Sequence, residues 1–211
     1  MSNNKRDDLL IKMYETLNNE ISRHITIVWQ SISVVIGAFT LLSLAEKNLL
    51  NVDLAMGIII LLIVWLFDHL IDSGYWYNRN LVIIANIERQ FLKVTDLNDI
   101  HSYFGTHRAD NKMLTHLKIQ RNLGVVLGIL IIGYHFYTRI VPGFSVELKL
   151  ENIDLIRAIP YVISIYGAWY ILKQYRKANK KYAEFVVNSP GISIDSSSVK
   201  PSIGHPDRAS D

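Results

Sequence analysis

One uninterrupted apolar run near the middle of the chain constrains the fold more than any other feature. From Leu54 to Leu70 the sequence reads LAMGIIILLIVWLFDHL, and its first charged residue is Asp68. A helix needs about 20 mostly apolar residues, at about 1.5 Å of rise each, to cross the hydrocarbon core of a bilayer. The run therefore predicts a membrane-spanning helix.

Three further segments have the composition of spans. They are Ile25–Leu44, Asn122–Thr138 and Leu155–Leu172. The last contains Arg157 and Pro160, but proline is tolerated near a helix start and an arginine there can reach the headgroups. Half of all residues are hydrophobic and the mean hydropathy is +0.18, which suits a chain divided between lipid and water. The sequence predicts four spans in two hairpins.

The basic residues predict the orientation of these spans, because lysine and arginine collect in cytoplasmic loops. Only four of the 22 lie in the two short connections of the hairpins, namely Lys47, Arg139, Lys149 and Arg157. The remaining 18 lie in the N-terminal segment, the middle segment 71–121 and the tail. Both termini and the middle segment are therefore predicted to be cytoplasmic.

Helical stripes continue beyond the apolar runs. Apolar residues recur at spacings of three and four in three places: Leu10, Tyr14, Leu17 and Ile21; Tyr77, Leu81, Ile84, Ile87 and Phe91; and Tyr175, Ala178, Tyr182 and Phe185. This period is typical of helices that bury one face. No proline interrupts the chain from Leu54 to Lys93, so one helix of about 60 Å is expected there. The stripes predict a projecting cytosolic bundle; the alternative is that they lie flat on the membrane.

These patterns predict an all-α, polytopic membrane protein with a cytosolic helical layer. The expected segments are an amphipathic cytosolic helix (1–24), a first transmembrane hairpin (25–71), a cytosolic helix and loop (72–121), a second hairpin (122–172), a basic cytosolic helix (173–187) and a disordered tail (188–211). The tail is rich in serine, proline and glycine and poor in large apolar residues.

Four polar residues near the ends of the spans are candidates for function. Asp68, His69 and Asp72 follow the apolar run, and His135 lies among aromatic residues late in the third span. Asp68 and Asp72 are four apart, so they share a helical face that could line a pathway or bind a cation, while His69 could titrate near neutral pH. The favoured interpretation is simpler. The first three lie at headgroup depth, and His135 is a satisfied interfacial residue.

Small residues in the third span suggest close helix contact. Gly124 and Gly128 form a G-xxx-G pair, which allows two helix backbones to approach. The motif is common in membrane segments. It favours helix packing or assembly into a homo-oligomer.

The sequence gives little support for a catalytic function. The chain has no cysteine, which excludes disulfides and thiol catalysis, and it contains no Walker loop, G-x-G-x-x-G or G-x-S-x-G motif. Metal-ligand residue types do collect in 96–116, yet their spacing matches no known motif, so a solvated connection is expected. No catalytic residue, metal or cofactor is predicted. The net charge of +3 gives no indication of nucleic acid binding.

Two stretches carry a resemblance to known proteins. They are YETLNNEISRHI at 14–25, which enters the first span, and WYNRNLVIIANIERQF at 76–91, which leaves the second. Their layout resembles the SLATT-type effectors of nucleotide-triggered defence systems and the RipA-type octameric membrane proteins, over roughly the first 95 residues. The second hairpin, 122–172, looks more like four-span defence effectors. The resemblance transfers no functional residue.

The resemblance implies a homo-oligomer in the bacterial inner membrane, with a cytosolic layer that responds to a signal or protein partner. In effector members it also implies permeabilisation as a part of phage defence. We therefore expect a non-enzymatic, pore-forming or membrane-perturbing protein controlled through its cytosolic helices. The alternatives are a membrane-anchored scaffold for a cytosolic partner and a small ion-coupled transporter, for which four spans are few.

Overall fold

Nearly all of the described residues are helical. The computed structural model describes residues 3–30, 32–91, 118–145 and 154–188, and within these ranges it contains no strand. The main helices are α1 (Asn3–Gln30), α2 (Ile32–Glu46), α3 (Val52–Phe91), α4 (Lys118–His135) and α5 (Ile159–Val187). A π-helix (Phe136–Ile140) and a 3₁₀-helix (Val141–Ser145) extend α4, and a second 3₁₀-helix (Leu155–Ala158) precedes α5. The predicted all-α class is confirmed for this part of the chain.

Helix α3 is one continuous helix of 40 residues. The side chain of Asn51 caps it by accepting hydrogen bonds from the backbone N–H groups of Asp53 (2.8 Å) and Leu54 (3.2 Å). No proline follows to remove a backbone donor. The predicted uninterrupted helix is confirmed as far as Phe91, where this described range ends.

Three helical segments are long and apolar enough to cross a membrane. They are Val52–Glu88, Lys118–Gly143 and Leu155–Val187. The predicted first span, Ile25–Leu44, is shared between the end of α1 and the 15 residues of α2, and Ser31 between them lies outside the described residues. Alone, α2 is about 22 Å long, shorter than the hydrocarbon core of about 30 Å.

The chain forms two compact units. The first, called here the apolar unit, contains residues 27–71 and 116–176. Its main core consists of Ala38, Met56, Ile59, Ile60, Ile63, Leu127 and Ile131. In the most apolar stretch of each helical segment, 44% is buried for α3, 22% for α4 and 11% for α5. Helix α3 is therefore the central helix of this unit. Apolar side chains on the outer faces of α4 and α5 remain exposed, as lipid-facing residues would be.

Glycines permit close contacts around α3 in the apolar unit. A Cβ at Gly57 would lie 3.1 Å from Ile159 Cγ2, and one at Gly167 would collide with Val64 Cγ2. Because β-branched neighbours have little rotamer freedom, a larger residue at either position displaces a helix. The approach of α5 to α3 therefore depends on these two positions having no side chain.

The second unit, called here the polar unit, contains residues 1–26, 72–115 and 177–211, of which 3–26, 72–91 and 177–188 are described. The stripes predicted from the sequence pack against one another in it. Helix α1 contributes Tyr14, Leu17 and Ile21 against Leu81 and Ile84 of α3. Tyr182 and Val186 of α5 pack with Tyr75 and Val82 of α3. Two predicted stripe residues, Phe91 and Tyr175, are instead exposed.

Polar contacts add to this packing. Tyr14 donates a hydrogen bond to Glu88 at 3.4 Å, and Arg6 donates one to Gln90 at 3.0 Å, so α1 is tied to the end of α3. Burial, together with the Glu88 carboxylate, raises the pKa of the Tyr14 phenol. The Lys181 ammonium lies 4.7 Å from the ring centroid of Tyr75, a cation–π contact between α5 and α3.

Candidate functional site

The most unusual residue of the apolar unit is a fully buried aspartate. Asp53 lies in the first turn of α3 and has 0% relative exposure. Two features of the helix start favour its charge. The unpaired backbone N–H groups give that end a partial positive charge, and the Asn51 cap fixes where the helix begins. A buried carboxylate still requires a partner of opposite charge.

Arg139 provides that partner from the end of α4. Its Nε donates to Asp53 Oδ1 at 2.9 Å and its Nη2 donates to Asp53 Oδ2 at 2.8 Å, so the guanidinium binds the carboxylate with two parallel hydrogen bonds. Arg139 belongs to the π-helix that follows α4. Such wide turns often mark functional positions in helices, and this one holds the arginine at the aspartate.

A histidine completes the coordination of the carboxylate. His135 is the last residue of α4 and, like Asp53, is completely buried. Its Nε2 lies 2.9 Å from Asp53 Oδ1, and its Nδ1 lies 2.9 Å from the hydroxyl of Tyr161 in α5. A carboxylate only accepts hydrogen bonds, so Nε2 carries a proton and donates. A neutral imidazole then accepts from the Tyr161 hydroxyl through Nδ1, and each group is satisfied.

The network joins the ends of three helices. It runs from Arg139 through Asp53 and His135 to Tyr161, and so connects α4, the start of α3 and the start of α5. Arg157 extends it by donating to the backbone carbonyl of Arg139 at 3.4 Å. We call Asp53, His135, Arg139 and Tyr161 the buried charge network.

The energetic balance of the network is asymmetric. With a neutral imidazole it contains one negative and one positive charge, so the intact set is neutral. Removing either charge leaves the other uncompensated in a medium of low polarity, which costs several kcal/mol, on the order of 3–5 for a buried pair. Arg139 is the more exposed partner, at 32% of its side-chain surface, against 1% for Asp53. The network can therefore hold the three helix ends together, and removing one of its charges would weaken that connection.

Within the described ranges, no three His, Asp or Glu residues are grouped as metal ligands. The 96–116 segment, which collects metal-ligand residue types, lies outside those ranges. The described groups of the network can accept, donate and hold protons.

Three of the four polar candidates from the sequence lie elsewhere on α3. Asp68 accepts a hydrogen bond from the Tyr170 hydroxyl at 3.2 Å, His69 stacks on Trp65 with ring centroids 5.3 Å apart, and Asp72 is exposed. Asp68 comes 15 residues after Asp53 on one helix, a separation of about 22 Å. The structure thus separates Asp68 and His69 from His135, and the four candidates do not form one site. A pathway role for the first three stays a prediction.

The two glycines of the third span lie against α3 in the same chain. A Cβ at Gly124 would lie 3.0 Å from Phe67 Cζ, and one at Gly128 would lie 4.0 Å from Ile63 Cδ1. Gly124 is buried and Gly128 half-buried. Their faces are therefore occupied by intramolecular packing between α4 and α3.

Sequence reasoning identified His135 but missed Asp53, Arg139 and Tyr161, the other members of the network. One signal was available. In the predicted two-hairpin topology, the start of the second span and the end of the third lie at the same membrane surface, and Asp53 and Arg139 occupy those positions. The spacing of four between His135 and Arg139 also places both on one helical face. Nothing in the sequence indicated Tyr161.

Comparison with known proteins identifies no relative. The chain matches no protein-family model, no curated protein and no solved structure.

Proposed function

We propose that this chain is an oligomeric membrane protein that permeabilises the bilayer under the control of its polar unit. In this proposal four spans cross the bacterial inner membrane, with the last residues of α1 and α2 together forming the first. Both termini and the polar unit are cytoplasmic, as the distribution of lysine and arginine favours.

The proposal rests on one observation: helices α3 and α5 each have residues in both units. Helix α3 is continuous from Val52 to Phe91, although residues up to 71 belong to the apolar unit and residues from 72 to the polar unit. Helix α5 is likewise continuous across the division after residue 176. In the proposal, a partner or signal that moves the polar unit acts on the spans through these shared helices.

The buried charge network supplies the element with two states. When Asp53 is paired with Arg139 and His135, the network connects the starts of α3 and α5 to the end of α4. In the proposed topology the network lies at the membrane surface that faces away from the cytoplasm. A displaced α3 would break the pairing of Asp53 with Arg139 and expose charged groups between the spans, where water and ions can follow. Intact pairing thus favours the closed state.

A vesicle assay tests the proposal. The purified full-length chain is reconstituted into liposomes that contain a self-quenched dye, and the oligomer mass is measured on the same preparation. We expect discrete oligomers, and we expect the Asp53→Asn variant to release dye faster than the wild type. A monomer that leaves the vesicles tight, with either sequence, would contradict the proposal. A stable oligomer with tight vesicles for both sequences would point to the scaffold function instead.

A further inference from the structure

The C-terminal half of α5 presents a strip of basic side chains on one face. The five residues are Lys173, Arg176, Lys177, Lys180 and Lys181, and each is exposed. Their spacings of three and four align them along one side of a single helix. On the opposite side, Tyr182 and Val186 are buried in the core of the polar unit. The strip therefore lies on the exposed side of α5.

The strip has few internal partners. Lys173 lies 5.1 Å from the ring centroid of Trp169, one turn earlier, and Lys181 lies over Tyr75. Lys180 reaches Glu184 at 3.9 Å, close to the limit for an ion pair. Within the described part of the chain, neither Arg176 nor Lys177 has a carboxylate partner. Among the described residues, Lys180 is the only one of the five with a carboxylate partner, so the strip can bind an external anion.

The position of the strip indicates which class of anion it would bind. It begins directly after the apolar segment that ends at Leu172, and Lys180 is about 12 Å along the helix from that end. Trp169, which is 54% exposed, lies at the junction, where aromatic side chains occupy the membrane–water interface. Clusters of four to eight basic residues next to a span are the pattern that attracts anionic lipids.

We propose that this strip binds the headgroups of anionic phospholipids at the membrane surface beside α5. The partner is a lipid surface, because Arg176 and Lys177 come about 6 and 7.5 Å along the helix after Leu172, which is the depth of the headgroup layer. The inference goes beyond permeabilisation: it rests on the insertion of α5 in the proposed function, but not on the conduction of ions. A lipid preference exists whether or not the protein conducts ions.

The test uses spin-labelled lipids with the full-length protein in phosphatidylcholine vesicles. The fraction of label immobilised by the protein gives a relative association constant for phosphatidylglycerol over phosphatidylcholine. We expect a preference for phosphatidylglycerol that high salt removes. The double variant Arg176→Gln/Lys177→Gln should lower the preference roughly twofold or more. One basic residue contributes about fivefold for a lipid at the strip, and lipids elsewhere around the protein dilute that factor.

A matched control carries the same change of charge away from the strip. Lys5→Gln/Lys12→Gln alters two exposed residues of α1 and should leave the preference unchanged. Equal association of both lipids with the wild type would overturn the proposal. So would a preference that survives Arg176→Gln/Lys177→Gln, or one that falls equally in the control. In the first two cases we would expect the strip to bind an acidic protein instead.

Discussion

Replacing Asp53 with asparagine is the sharpest perturbation of the buried charge network. The change preserves shape but removes the only negative charge, so Arg139 loses both charge-assisted hydrogen bonds, at 2.8 and 2.9 Å. His135 loses a carboxylate acceptor in a site without solvent. Breaking a buried ion pair by removing one partner costs about 3–5 kcal/mol. Because one third of Arg139 is exposed and can regain water, we expect the lower end, about 3 kcal/mol.

Thermal unfolding in detergent measures this loss. For a chain of this size, 1 kcal/mol shifts the Tm by about 2–4 °C, so Asp53→Asn should lower it by about 6–12 °C. Glu15→Gln is the matched control, since it removes a carboxylate from an exposed pair with Lys12 and should shift the Tm by no more than about 2–4 °C. A shift for Asp53→Asn as small as the control would refute the assigned role.

A double-mutant cycle separates pairing from the loss of a side chain. Combining Asp53→Asn with Arg139→Gln removes both charges, so no buried charge is left uncompensated. We expect the double variant to lose less stability than the sum of the two single variants, by about 1–3 kcal/mol. Additive losses would show that the two residues act independently and that the network does not join α3 to α4.

Three further substitutions test individual contacts. Tyr161→Phe leaves Nδ1 of His135 without its donor and should lower the unfolding free energy by about 1 kcal/mol, measured by thermal unfolding in detergent; an unchanged Tm would exclude the hydrogen bond. Gly167→Val places a branched side chain against Val64 and should cost about 1–3 kcal/mol in the same assay, whereas neutral behaviour would contradict the close approach of α5 to α3. Asp68→Asn should leave membrane insertion and dye release unchanged, because its carboxylate contacts the Tyr170 hydroxyl at the far end of the span from Asp53; loss of release with normal insertion would instead support the pathway role.

Periodicity predicted the helices well because it depends on local sequence. The stripe from Tyr77 to Ile87 and the absence of proline after Leu54 were sufficient to predict α3, since each helical turn depends on residues within four positions. The stripes also predicted that these helices bury one face, and Ile21 packs against Leu81 and Ile84, although the sequence did not indicate that pairing. The extent of the first span was harder to predict, because Gln30, Ser31 and Ser33 weaken the apolar run where α1 ends and α2 begins.

The buried charge network depends on information that no local pattern contains. Asp53 and Arg139 are 86 positions apart, and their pairing requires that α4 end beside the start of α3. The π-helix that carries Arg139 shifts the side chain relative to a regular helix. Asp53 is not distinctive in the sequence, because acidic residues are common at helix starts and this one lies at the edge of an apolar run. Its complete burial is a property of the packed fold alone.

Current recording across a planar bilayer tests most directly whether the chain is a membrane pore held closed by its buried charge network. The full-length wild type and Asp53→Asn are compared at equal protein density, with Glu15→Gln as the control. We predict discrete current steps that are rare for the wild type and for Glu15→Gln, and more frequent for Asp53→Asn. Silent bilayers with all three proteins, in preparations shown to contain inserted oligomers, would contradict a pore. Equal step frequencies for all three would contradict control by the network.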